Sequence, residues 1–409
     1  MSEWKTVKLG NVGSCIRGVS YKKDQLFEKQ SDNTIILFRA NNINNNQIIY
    51  RDTQNVAKEV VKNDQLLNKG DVIICMSSGS KHLLGKAAFF DFNSKKYTVG
   101  AFCSIFRIHE NNILPEFIKY VFQSKKYFTA ISKASTSTNI NNLKKSDIEN
   151  IEIHLPPLPI QKQIVSILEK TENLKQKRNE TNKETQKIIQ SLFYEMFGDP
   201  VKNEKGWDVK RLVEVLKEDK YIVGGPFGSN LKVVDYKEKG IPIMRLQNIQ
   251  KRTFIDKNII FISEKKAEEL KYHSFQSGDI ILAKLGDELG KSCIVPDKYS
   301  YGIVVGDVIR IRVPENTINK TYLLNVLNAD FCAKLLGGQK TGTTRPRVNL
   351  SDIRNIPVSV PPLQLQEEFA KKVQLIESIQ SKQQSSTEEI NTLFDALMQK
   401  AFKGELVDA

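Results

Sequence analysis

No stretch of this sequence stays apolar for anything near the ~18 residues that a membrane-spanning helix needs, which excludes a helical membrane protein. Histidine is scarce. The four in 409 residues (His82, His109, His154, His273) show no His-x-x-x-His or similar spacing, leaving little for a histidine-based zinc site. The five cysteines (Cys15, Cys75, Cys103, Cys293, Cys332) are an odd, scattered set without a CxxC pair, and they read as reduced thiols rather than disulfides or metal ligands. The opening MSEWKTVKLG lacks the basic segment and apolar stretch of a secretory signal, so a cytoplasmic protein is expected. Also missing are a Gly-x-Ser-x-Gly elbow, a Gly-x-Gly-x-x-Gly dinucleotide fingerprint and a nuclease-like cluster of carboxylates with lysine. The stretch GDELGKS at 286–292 has its glycines one residue too close for a phosphate-binding loop, and a hairpin is the plainer reading. The proline pairs at 156–157 and 361–362 follow Leu155 and Val360, which lack the polar group that the adenine-binding Pro-Pro motif of methyltransferases places there. These absences point away from catalysis and toward binding.

What is present is a long chain that folds. Its length suggests two to three units, and 40% hydrophobic residues with aromatics throughout argue against global disorder. The net charge of +14 is unevenly placed: +8 over residues 1–155, +2 over 156–206, +7 over 207–360 and −3 over 361–409. Two basic blocks separated by nearly neutral segments suit a polyanion, most simply nucleic acid, although a merely solvated basic surface is the alternative.

The sequence repeats itself. LPPLPIQKQIVSILEK starts at Leu155 and VPPLQLQEEFAKKVQL at Val360. At a shift of 205 residues Ser146-Asp147-Ile148 falls on Ser351-Asp352-Ile353, Gln161 on Gln366, Leu192 on Leu397 and Phe197 on Phe402. Upstream, Arg39, Asn42 and Ile43 fall on Arg245, Asn248 and Ile249, Gly70-Asp71 on Gly278-Asp279, and Trp4 on Trp207, with only small slips of register. Two copies are too few for a solenoid, so the plan is a fused pseudo-dimer with a pseudo-two-fold internal repeat. It predicts mixed α/β domains at 1–155 and 207–360 and long spacer helices at 156–206 and 361–409.

The spacer helices follow from spacing. In the first, Ile164, Ile167, Thr171, Leu174, Arg178, Thr181, Thr185, Ile188 and Leu192 alternate by three and four residues, as on one face of a coiled coil. In the second, Phe369, Val373, Ile376, Ile379, Gln383, Ser386, Ile390, Leu393 and Leu397 do the same. Both faces are apolar at the ends and polar between, so each helix needs the other copy or a partner, and self-association of the chain is open. Prolines 156, 157 and 159 precede the first helix and Gly198-Asp199-Pro200 ends it. A rod of about 55 Å results. Ile164, Ile167, Leu174, Ile188, Leu192, Phe193, Phe197, Phe369, Ile376, Ile379, Leu393, Leu397 and Phe402 are expected at a helix–helix or partner interface. For Phe193, Met196, Phe197, Met398 and Phe402, internal packing is favoured over partner contact.

Within the basic blocks, runs at 35–38, 72–76 and 102–108 read as strands, 115–131 as a helix and 133–142 as a polar loop. The second block repeats the order, with strands at 241–244, 280–282 and 303–313, a helix at 321–336 and a loop at 337–347.

Two variable basic domains, each followed by a PPL-x-x-Q helix, one ending SLFYEMFGDP and the other LMQKAFKGEL, resemble the specificity subunit of type I restriction-modification systems. GGPFGSNLKVVDYKEKGIPIMRLQNI, GDIILAKLGDELGK and TGTTRPRVNLSDIRNIPVSVPPLQLQ are similar to its target-recognition domains, and the likeness covers essentially the whole chain. The resemblance implies two similar target-recognition domains separated by two long antiparallel conserved helices. It also implies a non-catalytic subunit that reads a split double-stranded DNA site, docks two methyltransferase subunits and, through them, restriction subunits. S-adenosylmethionine, ATP and Mg would then reside on the partner subunits, with no cofactor on this chain.

Because SSGSKHLLGK and ASTSTNINN in the first copy face LGDELGK and TGTTRPRVN in the second, the two half-sites are expected to differ. The candidate DNA contacts are polar side chains at strand ends and in the loops before the SDI segments. In the first copy these are Arg39, Asn41, Asn42, Ser78, Ser80, Lys81, His82, Thr136, Thr138, Asn139 and Asn141. In the second they are Ser229, Asn230, Arg245, Gln247, Asn248, Lys284, Lys340, Thr343, Arg345 and Arg347. For the strand-end residues, local hydrogen bonding is the competing role. A non-catalytic adaptor that holds nucleic acid without sequence preference and tethers partner proteins is the alternative function, and a self-contained restriction or methylation enzyme the third.

Overall fold

A computed structural model of the chain describes residues 4–80, 83–136, 142–286, 289–338 and 347–407. It divides into two compact units, Met1–Asn179 with Ser386–Ala409, and Glu180–Ser385. Each unit thus takes one part of each long helix, Leu158–Phe197 and Leu363–Lys403.

In the first unit a sheet runs in the order Gly13–Arg17, Cys103–Ile108, Val72–Cys75, Ala87–Phe89, all antiparallel. Its central strand is buried throughout. Val72 and Ile74 face a core shared with Phe117, Ile118, Ile164 and Leu168, whereas Ile73 and Cys75 face a second cluster around Phe38, Phe90 and Val99. Cover on both faces explains why VIIC is a continuous apolar run rather than an alternating one. A second sheet, ordered Tyr97–Val99, Thr34–Phe38, Gln54–Ala57, Leu26–Phe27, contains one parallel pair.

The second unit repeats this plan. Its first sheet is Ile222–Gly224, Val308–Ile311, Ile280–Ala283, Ser292–Ile294, with Ile280 and Leu282 on the helix side and Ile281 and Ala283 on the other. Its second sheet is Ile260–Ile262, Ile241–Met244, Tyr301–Val304, Ser274–Gln276. Three strands of this sheet match the first unit, but the fourth joins at the opposite edge.

Several sequence-based boundaries change. The run 303–313 is two strands in two sheets, parted at Gly306, where a Cβ would lie 2.6 Å from the Pro226 carbonyl oxygen. The helix expected at 115–131 is two helices, Pro115–Val121 and Lys125–Thr136, broken where Ser124 turns its hydroxyl onto the Val121 carbonyl and accepts the Tyr127 N–H. Residues 133–136 are therefore helical, not loop. The stretch 321–336 likewise divides into Lys320–Leu327 and Asp330–Gly338.

The repeated PPL-x-x-Q phrase has a mechanical reason. Gln161 is fully buried, its Oε1 accepting the Leu114 N–H (2.8 Å) while its Nε2 donates to the Pro156 and Asn112 carbonyls (2.8 and 3.0 Å). Gln366 does the same in the second unit, accepting from Asn319 N–H and donating to the Pro361 carbonyl, both at 2.8 Å. One side chain fastens the start of each long helix to the start of a domain helix, Pro115–Val121 in the first unit and Lys320–Leu327 in the second. Gln366→Ala leaves buried groups unpaired and is expected to cost about 1–3 kcal/mol, read as a lowered urea midpoint at unchanged slope. Gln366→Glu should not restore it, because a carboxylate cannot donate to Pro361.

In the second unit the long helices run antiparallel, with Gln380 and Gln383 donating to Thr185 while Phe369 packs on Phe193. The expected seam holds at Ile164, Thr171, Thr185, Phe369, Val373 and Gln383 but shifts at several apolar positions. Leu174, Ile188, Ile379 and Leu393 are 44–54% exposed and do not pack between helices, whereas Leu168, Ile189 and Phe193 are buried. A 3.5-residue repeat drifts on a straight helix, and here each helix end is buried by its own domain rather than by the other helix alone. Ile164, Phe197 and Phe369 are buried as expected, and Leu192, Ile376, Leu397 and Phe402 pack partly against the cores; Ile167 is intermediate. All five cysteines are free and buried, and burial pushes the thiols of Cys15, Cys293 and Cys332 up to about 12.

Candidate nucleic-acid interface

The strand Ile241–Met244 ends in a tight turn, Leu246–Asn248, that projects Arg245 and Gln247. Asn248 builds this turn. It is fully buried, its Oδ1 accepting the Arg245 N–H at 3.1 Å and its Nδ2 donating to the carbonyls of Ile255 and Lys257. Asn42 in the first unit does likewise with Arg39, Ile49 and Arg51 at 2.8–2.9 Å. The expectation that Asn42 and Asn248 touch bases is therefore corrected: their amides are spent on the backbone. The arginines are tethered too, Arg39 Nη2 donating to the Asp52 carbonyl and Arg245 Nη2 to that of Asn258. Asn41 and Gln247, beside them, are exposed.

Arg245 and Gln247 line a cleft of about 980 Å³ in the second unit together with Lys284, Asp307, Arg347 and the exposed Phe227 and Tyr272. Four of the side chains singled out from the sequence thus meet at one place, although they come from positions over a hundred residues apart. Lys284 follows the central strand, and its ammonium is held below the ordinary lysine range by burial, then by Arg347, with Asp307 opposing. Arg347 Nη2 donates to Asp307 Oδ1 at 2.8 Å. His273 closes one side, its Nδ1 donating to the Gly224 carbonyl at 2.7 Å. The floor needs glycine: a Cβ on Gly225 would lie 2.0 Å from the Val305 carbonyl oxygen. A cleft with three cationic side chains, an amide and two exposed rings can neutralise phosphates, hydrogen-bond base edges and stack.

The remaining candidates are more dispersed. Ser229 and Asn230 are exposed beside Phe227, where the Asn230 N–H closes a turn onto the Phe227 carbonyl. Ser78 accepts the Ser80 N–H at 3.2 Å in a loop after the first unit's central strand. Lys81, His82, Thr138, Asn139, Asn141, Lys340, Thr343 and Arg345 lie outside the described residues, as does the side chain of Thr136. Among the described residues, no cluster of His, Cys, Asp and Glu is arranged to hold a metal ion, and no helix is long and apolar enough to cross a membrane. Sequence reasoning missed Asp307, because it lies inside a run read as one strand.

The family model for the type I restriction modification DNA specificity domain matches residues 1–185 and again residues 204–392. The specificity subunit of the type I restriction enzyme EcoKI from Escherichia coli K12 is 28% identical over 422 residues, covering 98% of this chain and 89% of that protein. That of StySPI from Salmonella potsdam is 28% identical over 423 residues with the same coverage. Among solved structures, the fold is similar to a chain from a study of complex assembly and conformational transition of the type I R-M system. There the TM-score is 0.64 at 18% identity, covering 99% of both chains. It is also similar to the type I S subunit from M. genitalium, at TM-score 0.53 and 14% identity over 98% and 96% of the two chains. With both halves matched and the two-unit fold shared, the chain belongs to the family of type I restriction-modification DNA specificity subunits, which recognise DNA sequence and leave catalysis to the other subunits.

Proposed function

We propose that this chain reads a bipartite, asymmetric site in double-stranded DNA, one half with each unit, and docks two methyltransferase subunits and through them the restriction subunits. The observation that carries this reading is the cleft where Arg245, Gln247, Lys284 and Arg347 converge on a unit present twice in the chain with different polar side chains in each copy. Base edges in the major groove are distinguished by such donors, and two unlike sets call for two unlike half-sites. The chain itself holds no cofactor in this scheme; S-adenosylmethionine, ATP and Mg belong to the partners, and the complex works in the cytoplasm. The long helices, 40 and 41 residues each, set the distance between half-sites and offer exposed apolar side chains such as Leu174, Ile188 and Leu393 to the methyltransferases.

The test is to co-produce the chain with its cognate methyltransferase subunit in a methylation-free host and map modified adenines genome-wide. One split motif with unlike halves, absent when this chain is omitted, is the expected result. Methylation that is identical without the chain, or absent from an intact complex, overturns the reading.

A further inference from the structure

At the end of the central strand of each unit, three chain segments meet in the same backbone pattern. In the first unit the Met76 N–H donates to the Phe102 carbonyl (2.9 Å), the Leu143 N–H donates to the Met76 carbonyl (2.8 Å), and Ser77 bridges Asn142. In the second the Lys284 N–H donates to the Asp307 carbonyl (3.1 Å), the Val348 N–H donates to the Lys284 carbonyl (3.0 Å), and Leu285 bridges Arg347. Backbone hydrogen bonding therefore equates Met76 with Lys284, Phe102 with Asp307 and Asn142 with Arg347, the same pairings that shifts of 208 and 205 residues give in the sequence.

The side chains at these matched positions differ in kind. In the second unit they form a charged set on the cleft wall, with Asp307 gripping the Arg347 guanidinium beside Lys284. In the first unit Met76 is buried, Asn142 is exposed, and Phe102 stands 68% exposed on backbone pinned by hydrogen bonds from Met76 and Ser77. A carboxylate in a DNA-facing cleft repels phosphate unless a cation covers it, and its value there is to hold an arginine fork in one plane. An aromatic ring held in water on a rigid frame suits apolar contact with a thymine methyl or a base face.

We infer that this three-segment junction is the specificity-determining point of each unit: Arg347, positioned by Asp307, reads a guanine in one half-site, and Phe102 makes an apolar base contact in the other. The inference rests on the DNA-recognition reading above. Arg347 and Phe102 are the contacting residues, and Asp307 is a positioning residue. The junction also explains how one fold yields unlike half-sites: its backbone bonds are independent of the side chains, so exchanging charged for apolar groups leaves the frame intact.

Adenine methylation mapping with the full chain and its methyltransferase subunit tests this, using Arg347→Ala, Arg347→Lys, Asp307→Asn, Phe102→Ala and Phe102→Leu. Arg347→Ala is expected to lower discrimination at a single G·C pair in one half-site by about 10- to 100-fold while the other half-site stays as strict. Arg347→Lys should relax the same pair, since it retains charge but not the bidentate fork. Asp307→Asn should weaken preference at that pair and nowhere else. Phe102→Ala should relax one position in the opposite half-site, with Phe102→Leu intermediate. A uniform fall in methylation with the motif unchanged in the arginine variants means phosphate contact only and overturns the inference. Relaxation of both halves by one substitution overturns it as well. Absence of any split motif with the unaltered chain is a different result, the failure of the underlying DNA-recognition reading.

Discussion

Asp279→Ala is expected to destabilise the second unit by about 3–5 kcal/mol, because it removes one partner of a buried ion pair and leaves the other without compensation. Asp279 is 2% exposed in its side chain, and both its oxygens accept from Arg312, Oδ1 from Nε at 2.9 Å and Oδ2 from Nη2 at 2.8 Å. Oδ2 also accepts the Gln276 N–H, which closes the turn into the central strand. Alanine therefore loses a bidentate charge-assisted pair and a turn bond together. Because the Arg312 side chain is 30% exposed, water recovers part of its hydration, which places the expected loss nearer the lower figure. Asp279→Asn keeps an acceptor for Gln276 and should cost less. The first unit carries the same device, Asp71 with Arg107 at 2.6–2.9 Å and the Asn68 N–H on Asp71, so Asp71→Ala should act on that unit in the same way. Urea unfolding of each variant measures this. A loss below about 1 kcal/mol would show that the pair acts as a surface contact.

The second large effect is expected from Phe369→Ala. This ring is fully buried among Phe193, Phe197 and Tyr322, with centroids of Phe193 and Phe197 at 5.8 and 5.2 Å and Phe197 to Tyr322 at 4.6 Å. The four rings join both long helices to the helix Lys320–Leu327 of the second unit. Truncation removes the buried apolar surface and leaves a cavity that a rigid aromatic cluster closes poorly, a loss of about 3–5 kcal/mol. Ile379→Ala on the same helix, 44% exposed, should stay within about 0.5 kcal/mol. If the two substitutions cost the same, the helix face assigned here is wrong. If, as proposed, the long helices set the distance between half-sites, a folded Phe369→Ala chain should also blur the spacing between methylated half-sites.

The sequence alone determined that the chain is duplicated and that each copy joins a mixed α/β domain to a long helix, while the DNA-binding reading came from the resemblance to specificity subunits, since the basic charge left a solvated surface open. The duplication and the long helices follow from self-similarity and periodicity, which the sequence carries directly. It also singled out Arg245, Gln247, Lys284 and Arg347, since an arginine or glutamine after a buried strand has few roles besides a turn or a contact. Tertiary structure alone decided which of two neighbouring polar residues faces the cleft: Asn248 is consumed by Arg245, Ile255 and Lys257, while Gln247, one position earlier, lines the cleft and spends one amide N–H on the Asn258 carbonyl. It alone buried Ile189 in place of the expected Ile188 while keeping Thr185 on the seam, because burial at the helix ends is set by the domain packed there. The repeat already sets Phe102 opposite Asp307, but that each lies at a junction of three chain segments was invisible, for it rests on hydrogen bonds between segments far apart in the chain.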